Sequence, residues 1–181
     1  FIFSDTILDK YVTRDINSFI ITRNPDIYYL GVMVSFLNLF TMFNTHIKCY
    51  NGFGTHAVIY SKAARKLLFT KFMEYKILHI DDMQFEYIDN IYFYYKPLCM
   101  QSFPDTENKK TWAINRNMNR LQQSLNTFKV KLGTYYHHKI LKLDKDDNLE
   151  QKYKLHYNIV KTYHIILIIL IIYLLFVVYK K

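Results

Sequence analysis

The chain has 181 residues, a formal net charge of +9, 18% aromatic residues and only 4 glycines, 3 prolines and 2 cysteines. That length supplies one domain with a core. Cys49 and Cys99 lack the paired spacing of a zinc site and neither demand nor exclude a disulfide. The lysines form no ordered basic patch, so nucleic acid is not an expected partner.

The chain opens at Phe1 rather than at methionine and reads as a fragment or truncated product. From Ser4 or Asp5, either a fit N-cap, Ile7, Leu8, Tyr11, Val12, Ile16, Phe19 and Ile20 recur at helical spacing. Pro25 disfavours helix for Asn24 and closes the element. Asp26 to Gly31, DIYYLG, reads as a short buried strand with a glycine turn, and the apolar run VMVSFLNLFTMF after it fits neither period well. Gly52 and Gly54 mark a turn, HAVIYS a strand, and Ser61 the cap of a helix through Leu68. In ILHIDDMQFEYI a strand-like approach is expected to end at Asp81 and Asp82, with a helical turn after them. NIYFYYKPLCMQ then gives an aromatic strand running into Pro97.

Beyond Phe103 the chain turns polar, so residues 1–105 are expected to form the domain and 106–162 a partly helical or disordered stalk. Ile165 to Tyr179 is continuously apolar. At 1.5 Å per residue its 15 positions reach about 22 Å against roughly 30 Å of hydrocarbon. Extended back to Ile159 with Lys161 snorkelling, the run reaches a spanning length; with Tyr163 and His164 at one interface and Tyr179, Lys180 and Lys181 at the other, residues 163–179 read as a single-pass C-terminal membrane anchor. The lysines ahead of it, from Lys139 to Lys161, place the bulk of the chain on the cytosolic side by the positive-inside rule.

The order of these signals resembles the C-terminal half of family-25 glycosyltransferases. The matching positions are Leu30 and Gly31; Gly54, Thr55, Ala57 and Ser61 with Ala64, Leu67 and Leu68; Ile80 and Asp81; and Pro97 and Gln101. Val58 stands where the family often has an aromatic residue. The resemblance runs from about Ser4 to Ser102 and implies an α/β fold, part of a GT-A-like, Rossmann-like domain. It implies transfer of a hexose, galactose or glucose, from a nucleotide sugar such as a UDP-sugar to a glycan or glycoprotein acceptor. It also implies a divalent cation, Mn²⁺ or Mg²⁺, whose Asp-x-Asp ligands would lie upstream of Phe1, leaving the metal residues unknown here.

Under that resemblance Asp81, then Asp82, are the candidate catalytic carboxylates, because an acceptor hydroxyl must lose a proton as it attacks the anomeric carbon. Gly54, Thr55, His56 and Gln101 are the candidate substrate-binding residues. Plainer uses stand beside these: Asp81 or Asp82 as a helix N-cap, His56 as a half-exposed strand residue, Gln101 as a backbone partner at the domain edge. The rival function is a non-catalytic, membrane-anchored interaction protein that keeps the fold without the site.

Overall fold

Short strands dominate because β-branched and aromatic residues come in runs of three or four between turn residues. The computed structural model describes residues 2–3, 9–36, 38, 44–53, 57–75, 80–103, 120–145 and 147–180. In chain order the elements are β1 (Ile2–Phe3), α1 (Lys10–Arg23), β2 (Ile27–Tyr29), β3 (Met33–Val34), β4 (His46–Lys48), β5 (Gly52–Phe53) and β6 (Val58–Tyr60). They continue with α2 (Lys62–Tyr75), α3 (Ile80–Tyr87), β7 (Ile91–Tyr94), β8 (Cys99–Met100), α4 (Arg120–Tyr135), a π-helical turn (Tyr136–Ile140) and α5 (Leu149–Tyr179).

Four strands form a mixed sheet in the order β4-β7-β2-β6. The two central strands, β2 and β7, run parallel with Ile27 opposite Ile91 and Tyr29 opposite Phe93; the two edges are antiparallel. Two further ladders, β1 with β8 and β3 with β5, are antiparallel pairs. The β3–β5 pair needs its glycine: a Cβ on Gly52 would lie 2.7 Å from Val32 Cγ2.

Alternation along the strands divides the core into two faces. Ile27, Tyr29, Ile47, Ile91 and Phe93 join Ala64 and Leu68 of α2, Met83 of α3, and Leu149, Tyr153 and Tyr157 of α5. Tyr28 and Tyr94 point the other way and meet Ile16 of α1 and Leu98. The result is a three-layer α/β arrangement, α1 on one face and α2, α3 and α5 on the other.

The expected caps Ser4 and Asp5 lie outside the described residues. Asp9 caps α1, its side chain accepting from the Tyr11 backbone N–H at 2.8 Å. Asn24 closes the helix in the left-handed region, φ 45°, directly before Pro25. Ser61 caps α2 as its sequence position implies: its Oγ accepts from the Ala64 N–H and donates to Asp26 Oδ1, both at 3.0 Å.

Two expectations change. Of the segment expected as a strand-like approach to Asp81, residues 77–79 lie outside the described residues; from Ile80 the chain is helical, so Asp81 and Asp82 belong to the first turn of α3 rather than to a strand end. The stretch expected as a stalk is helical over most of its described length, and Leu141, Leu143, Leu149, Tyr153 and Tyr157 in it are buried in the same core as the sheet. Its charge conceals a helical period: Leu149, Tyr153, His156, Tyr157, Val160 and His164 are the buried residues of α5. Lys154 and Lys161 occupy its exposed sides.

Beyond His164 the same helix leaves the domain. Among the described residues, Leu149–Tyr179 is the one helix long and apolar enough to cross a membrane, and only 6% of its most apolar window is buried. A core helix of that hydropathy would be covered by protein; this one is not, so an apolar phase outside the protein is the environment it fits.

Candidate functional site

In open α/β sheets ligands gather at the carboxyl ends of parallel strands. Here the ends of β2 and β7 lie side by side, and the start of antiparallel β6 reaches the same edge. The Leu30 N–H donates to the Ala57 carbonyl at 2.9 Å, and the N–H groups of Leu98 and Cys99 both donate to the Leu30 carbonyl at 3.0 Å. Three of the sequence blocks singled out above therefore meet at one edge: Leu30–Gly31, the chain around Ala57, and Pro97–Gln101. Ala57 sits there with φ 51°. A non-glycine residue in that region carries strain of about 1 kcal/mol or more, held in place by its surroundings.

Gly54, Thr55 and His56, which immediately precede Ala57, lie outside the described residues. Asp81 and Asp82 stand one turn ahead of Gln84 on α3. Gln84 is fully buried and accepts a hydrogen bond from the Tyr29 hydroxyl through Oε1, while its Nε2 donates to the Tyr60 hydroxyl at 2.6 Å. These bonds pin α3 across β2 and β6, and Phe85 stacks on Tyr29 with ring centroids 6.1 Å apart. The first turn of α3 is thus carried on a helix fixed to the two strands whose ends form the edge.

Gln101 has a partner absent from the sequence reading. Its backbone N–H donates to Tyr153 Oη at 3.3 Å, and that hydroxyl donates to the Gln101 carbonyl at 3.0 Å. Burial pushes the Tyr153 phenol well above its ordinary pKa, so it stays protonated and serves as donor and acceptor together. Two further side chains of α5 hold the segment that follows Gly31. The Tyr157 hydroxyl donates to the Val32 carbonyl at 3.0 Å, and His156 Nε2 lies 2.8 Å from the Val34 carbonyl. A carbonyl accepts only, so Nε2 carries the proton and Nδ1 accepts from the Tyr136 hydroxyl at 3.0 Å. Burial pushes the pKa of His156 down to about 4, against the Val34 bond that favours the charged form.

The three clamps, Tyr153 on Gln101, Tyr157 on Val32 and His156 on Val34, come from the helix that continues into the apolar run. They escape the sequence pattern because two tyrosines and a histidine, with Lys154 between, do not read as an apolar stripe. Their spacing at Tyr153, His156 and Tyr157 on one helical face was the available signal.

A second polar cluster lies on the opposite face of the sheet. The Tyr28 hydroxyl and His46 Nδ1 are 2.8 Å apart, Asp15 Oδ2 is 3.4 Å from His46 Nε2, and Phe19 stacks on the imidazole at 3.9 Å between centroids. The sequence of groups resembles a proton relay, but Tyr28 is 0% exposed and no substrate reaches its oxygen. The cluster fastens α1 to β2 and β4. Burial lowers the pKa of His46, opposed by Asp15.

Among the described residues no group of three His, Cys, Asp or Glu side chains converges as metal ligands, so they do not form a site fitting the expected Mn²⁺ or Mg²⁺. Ser61 bonds to Asp26 at the opposite end of β2 and takes no part in the edge. No family model matches the chain, and no curated protein or solved structure matches it.

Proposed function

We propose that the chain carries the acceptor side of a membrane-anchored hexosyltransferase of the family-25 type, moving galactose or glucose from a nucleotide sugar to a glycan or glycoprotein. The observation that supports this reading is the meeting of Leu30–Gly31, Ala57 and Pro97–Gln101 at one sheet edge, bound through the Leu30 backbone. Sheet pairing alone brings these sequence-distant blocks together; the support for a site is that they meet at the carboxyl ends of the parallel strands, where ligands of open α/β sheets gather. In the proposed reaction the acceptor oxygen forms a bond to the anomeric carbon as the bond to the nucleotide diphosphate breaks. The carboxylate of Asp81, or of Asp82 beside it, accepts the proton released by that oxygen. Gly54, Thr55, His56 and Gln101 would orient the sugar, and no step is assigned to a cation. The reading puts the bulk of the chain on the cytosolic side, on the positive-inside rule and the lysines from Lys139 to Lys161.

The test is transfer from a panel of UDP-sugars by detergent-solubilised protein with Mn²⁺, in this chain and in any longer form its gene encodes, beside Asp81→Asn. Transfer that falls about 100-fold or more in Asp81→Asn supports the assignment. Absence of both UDP-sugar binding and transfer in every form overturns it in favour of a non-catalytic anchored interaction protein.

A further inference from the structure

Helix α4 is built inside out. A surface helix of a soluble domain turns its large apolar side chains to the core. In α4, Leu121, Leu125, Phe128, Leu132 and Tyr135 recur four and three positions apart and are 57–71% exposed. Among the described residues of α4 the half-buried ones are Thr127, Val130, Gly133 and Thr134, on the opposite side. At 100° per residue, Lys129 and Lys131 fall about 80° to either side of the apolar stripe. From Arg120 to Leu143 the chain holds Arg120, Lys129, Lys131, Lys139 and Lys142 and no acidic residue, and Asp144, which follows, lines one hollow with Lys131 and Lys139 on the less exposed side of α4.

The end of α4 lies close to the base of the apolar run. Phe36 packs edge-on against Tyr136, the residue after α4, at 5.7 Å, and against Tyr163 of α5 at 5.6 Å. Packing of α5 against the domain ends at His164, 3% exposed. The free run from Ile165 to Tyr179 covers about 22 Å, short of the roughly 30 Å of bilayer hydrocarbon. A run of that length crosses by thinning the bilayer locally or by drawing the flanking residues, Tyr163 among them, into the headgroup layer, and either brings the adjoining end of the domain close to the lipid surface. The end of α4 then stands close to that surface too.

We propose that α4 docks on an anionic lipid bilayer, the one that α5 crosses. Its stripe enters the headgroup and acyl boundary, and Lys129 and Lys131 extend to the phosphates on either side. The four-three spacing is also that of a coiled-coil seam, which makes a second copy the rival occupant. In a parallel pairing Lys129 and Lys131 take the flanking positions opposite Ser124 and Tyr136, so neither finds a carboxylate across the seam, and α4 is only 16 residues long. Charge complementarity therefore favours the lipid.

The full chain is reconstituted with the environment-sensitive fluorophore NBD on Leu125→Cys, in vesicles of phosphatidylcholine alone or mixed equally with phosphatidylserine. Both native cysteines are buried, which directs the label to the introduced thiol. The expected result is blue-shifted emission, quenched from within the lipid, in the phosphatidylserine vesicles. Each basic residue removed in Lys129→Glu and Lys131→Glu should shift docking toward the aqueous state about fivefold. The milder Lys129→Gln and Lys131→Gln pair asks the same question if the glutamates disturb folding. A second label at Ile172→Cys reports α5 separately. Aqueous emission from Leu125→Cys in anionic vesicles while Ile172→Cys stays in lipid overturns the docking, and so does energy transfer between labelled chains that rises with protein density.

Discussion

His156 shows how much one buried side chain can decide. With a folded pKa of about 4 against an ordinary value of about 6.5, the folded protein binds fewer protons than the unfolded chain between those values. Stability from the neutral imidazole is therefore complete above pH 6.5 and lost as the pH falls toward 4, on the order of 3 kcal/mol in total. His137 acts in the same direction, its pKa pushed down to about 4 by burial and by His156 and His138. The thermal midpoint of the solubilised protein should drop steeply below pH 6.5; a flat profile between 6.5 and 4.5 would contradict the neutral assignment. Tyr153→Phe removes the hydroxyl that serves both backbone groups of Gln101. It should cost about 1–3 kcal/mol and speed amide exchange at Gln101, while amides of α1 stay protected. Ser61→Ala should cost about 1 kcal/mol through the lost cap, read as a lowered midpoint without altered exchange at Gln101.

At the scale of elements, the legible parts were those whose local signals agree. Ile27 to Tyr29, within the expected Asp26–Gly31 block, Val58 to Tyr60 and Ile91 to Tyr94 stand as strands where turn residues bracket aromatic and β-branched runs. The α2 start was fixed by Ser61 because cap and helix formers adjoin. The start of α3 was not, since an apolar run as short as Ile77 to Ile80 suits either period and packing decides between them. Here Gln84, tied to Tyr29 and Tyr60, supplies that decision. The candidate site was legible as an order of blocks, and the pairing of Leu30 with Ala57, Leu98 and Cys99 was not, because ladder register depends on partners distant in the chain. Nor were the α5 clamps, since tyrosines and a histidine on the buried face dilute its hydrophobic period. Replacing Gln84 with leucine should leave the Tyr29 and Tyr60 hydroxyls without their shared partner, loosening α3 by about 1–3 kcal/mol. Limited proteolysis at α3 reads that change, and cleavage no faster than in the parent would contradict the pinning role.

The molecule as a whole joins a packed domain and an exposed apolar segment through one helix. α5 covers the larger core face with Leu149, Tyr153 and Tyr157, holds the rim of the candidate site at Val32, Val34 and Gln101, and then runs without interruption into the exposed apolar segment. On the proposed anchoring, helix continuity would fix the domain's distance from the lipid, and the short free run would make that distance small. Removing residues 165–181 should leave a folded domain, because the truncated part supplies none of the identified core, whereas ending the chain before Leu149 should abolish folding. Circular dichroism and protease resistance distinguish the two. The most direct measurement places single cysteines along α5, at Asn158, Thr162, Ile166, Ile169, Ile172 and Leu175, in reconstituted vesicles. Each is tested with a membrane-impermeant maleimide. Rapid labelling at Asn158 and abrupt protection from Ile166 onward is the expected result, with no aqueous interval between domain and bilayer. Rapid labelling through Ile166, Ile169 and Ile172 would contradict a membrane-seated domain, whatever the chemistry at its sheet edge.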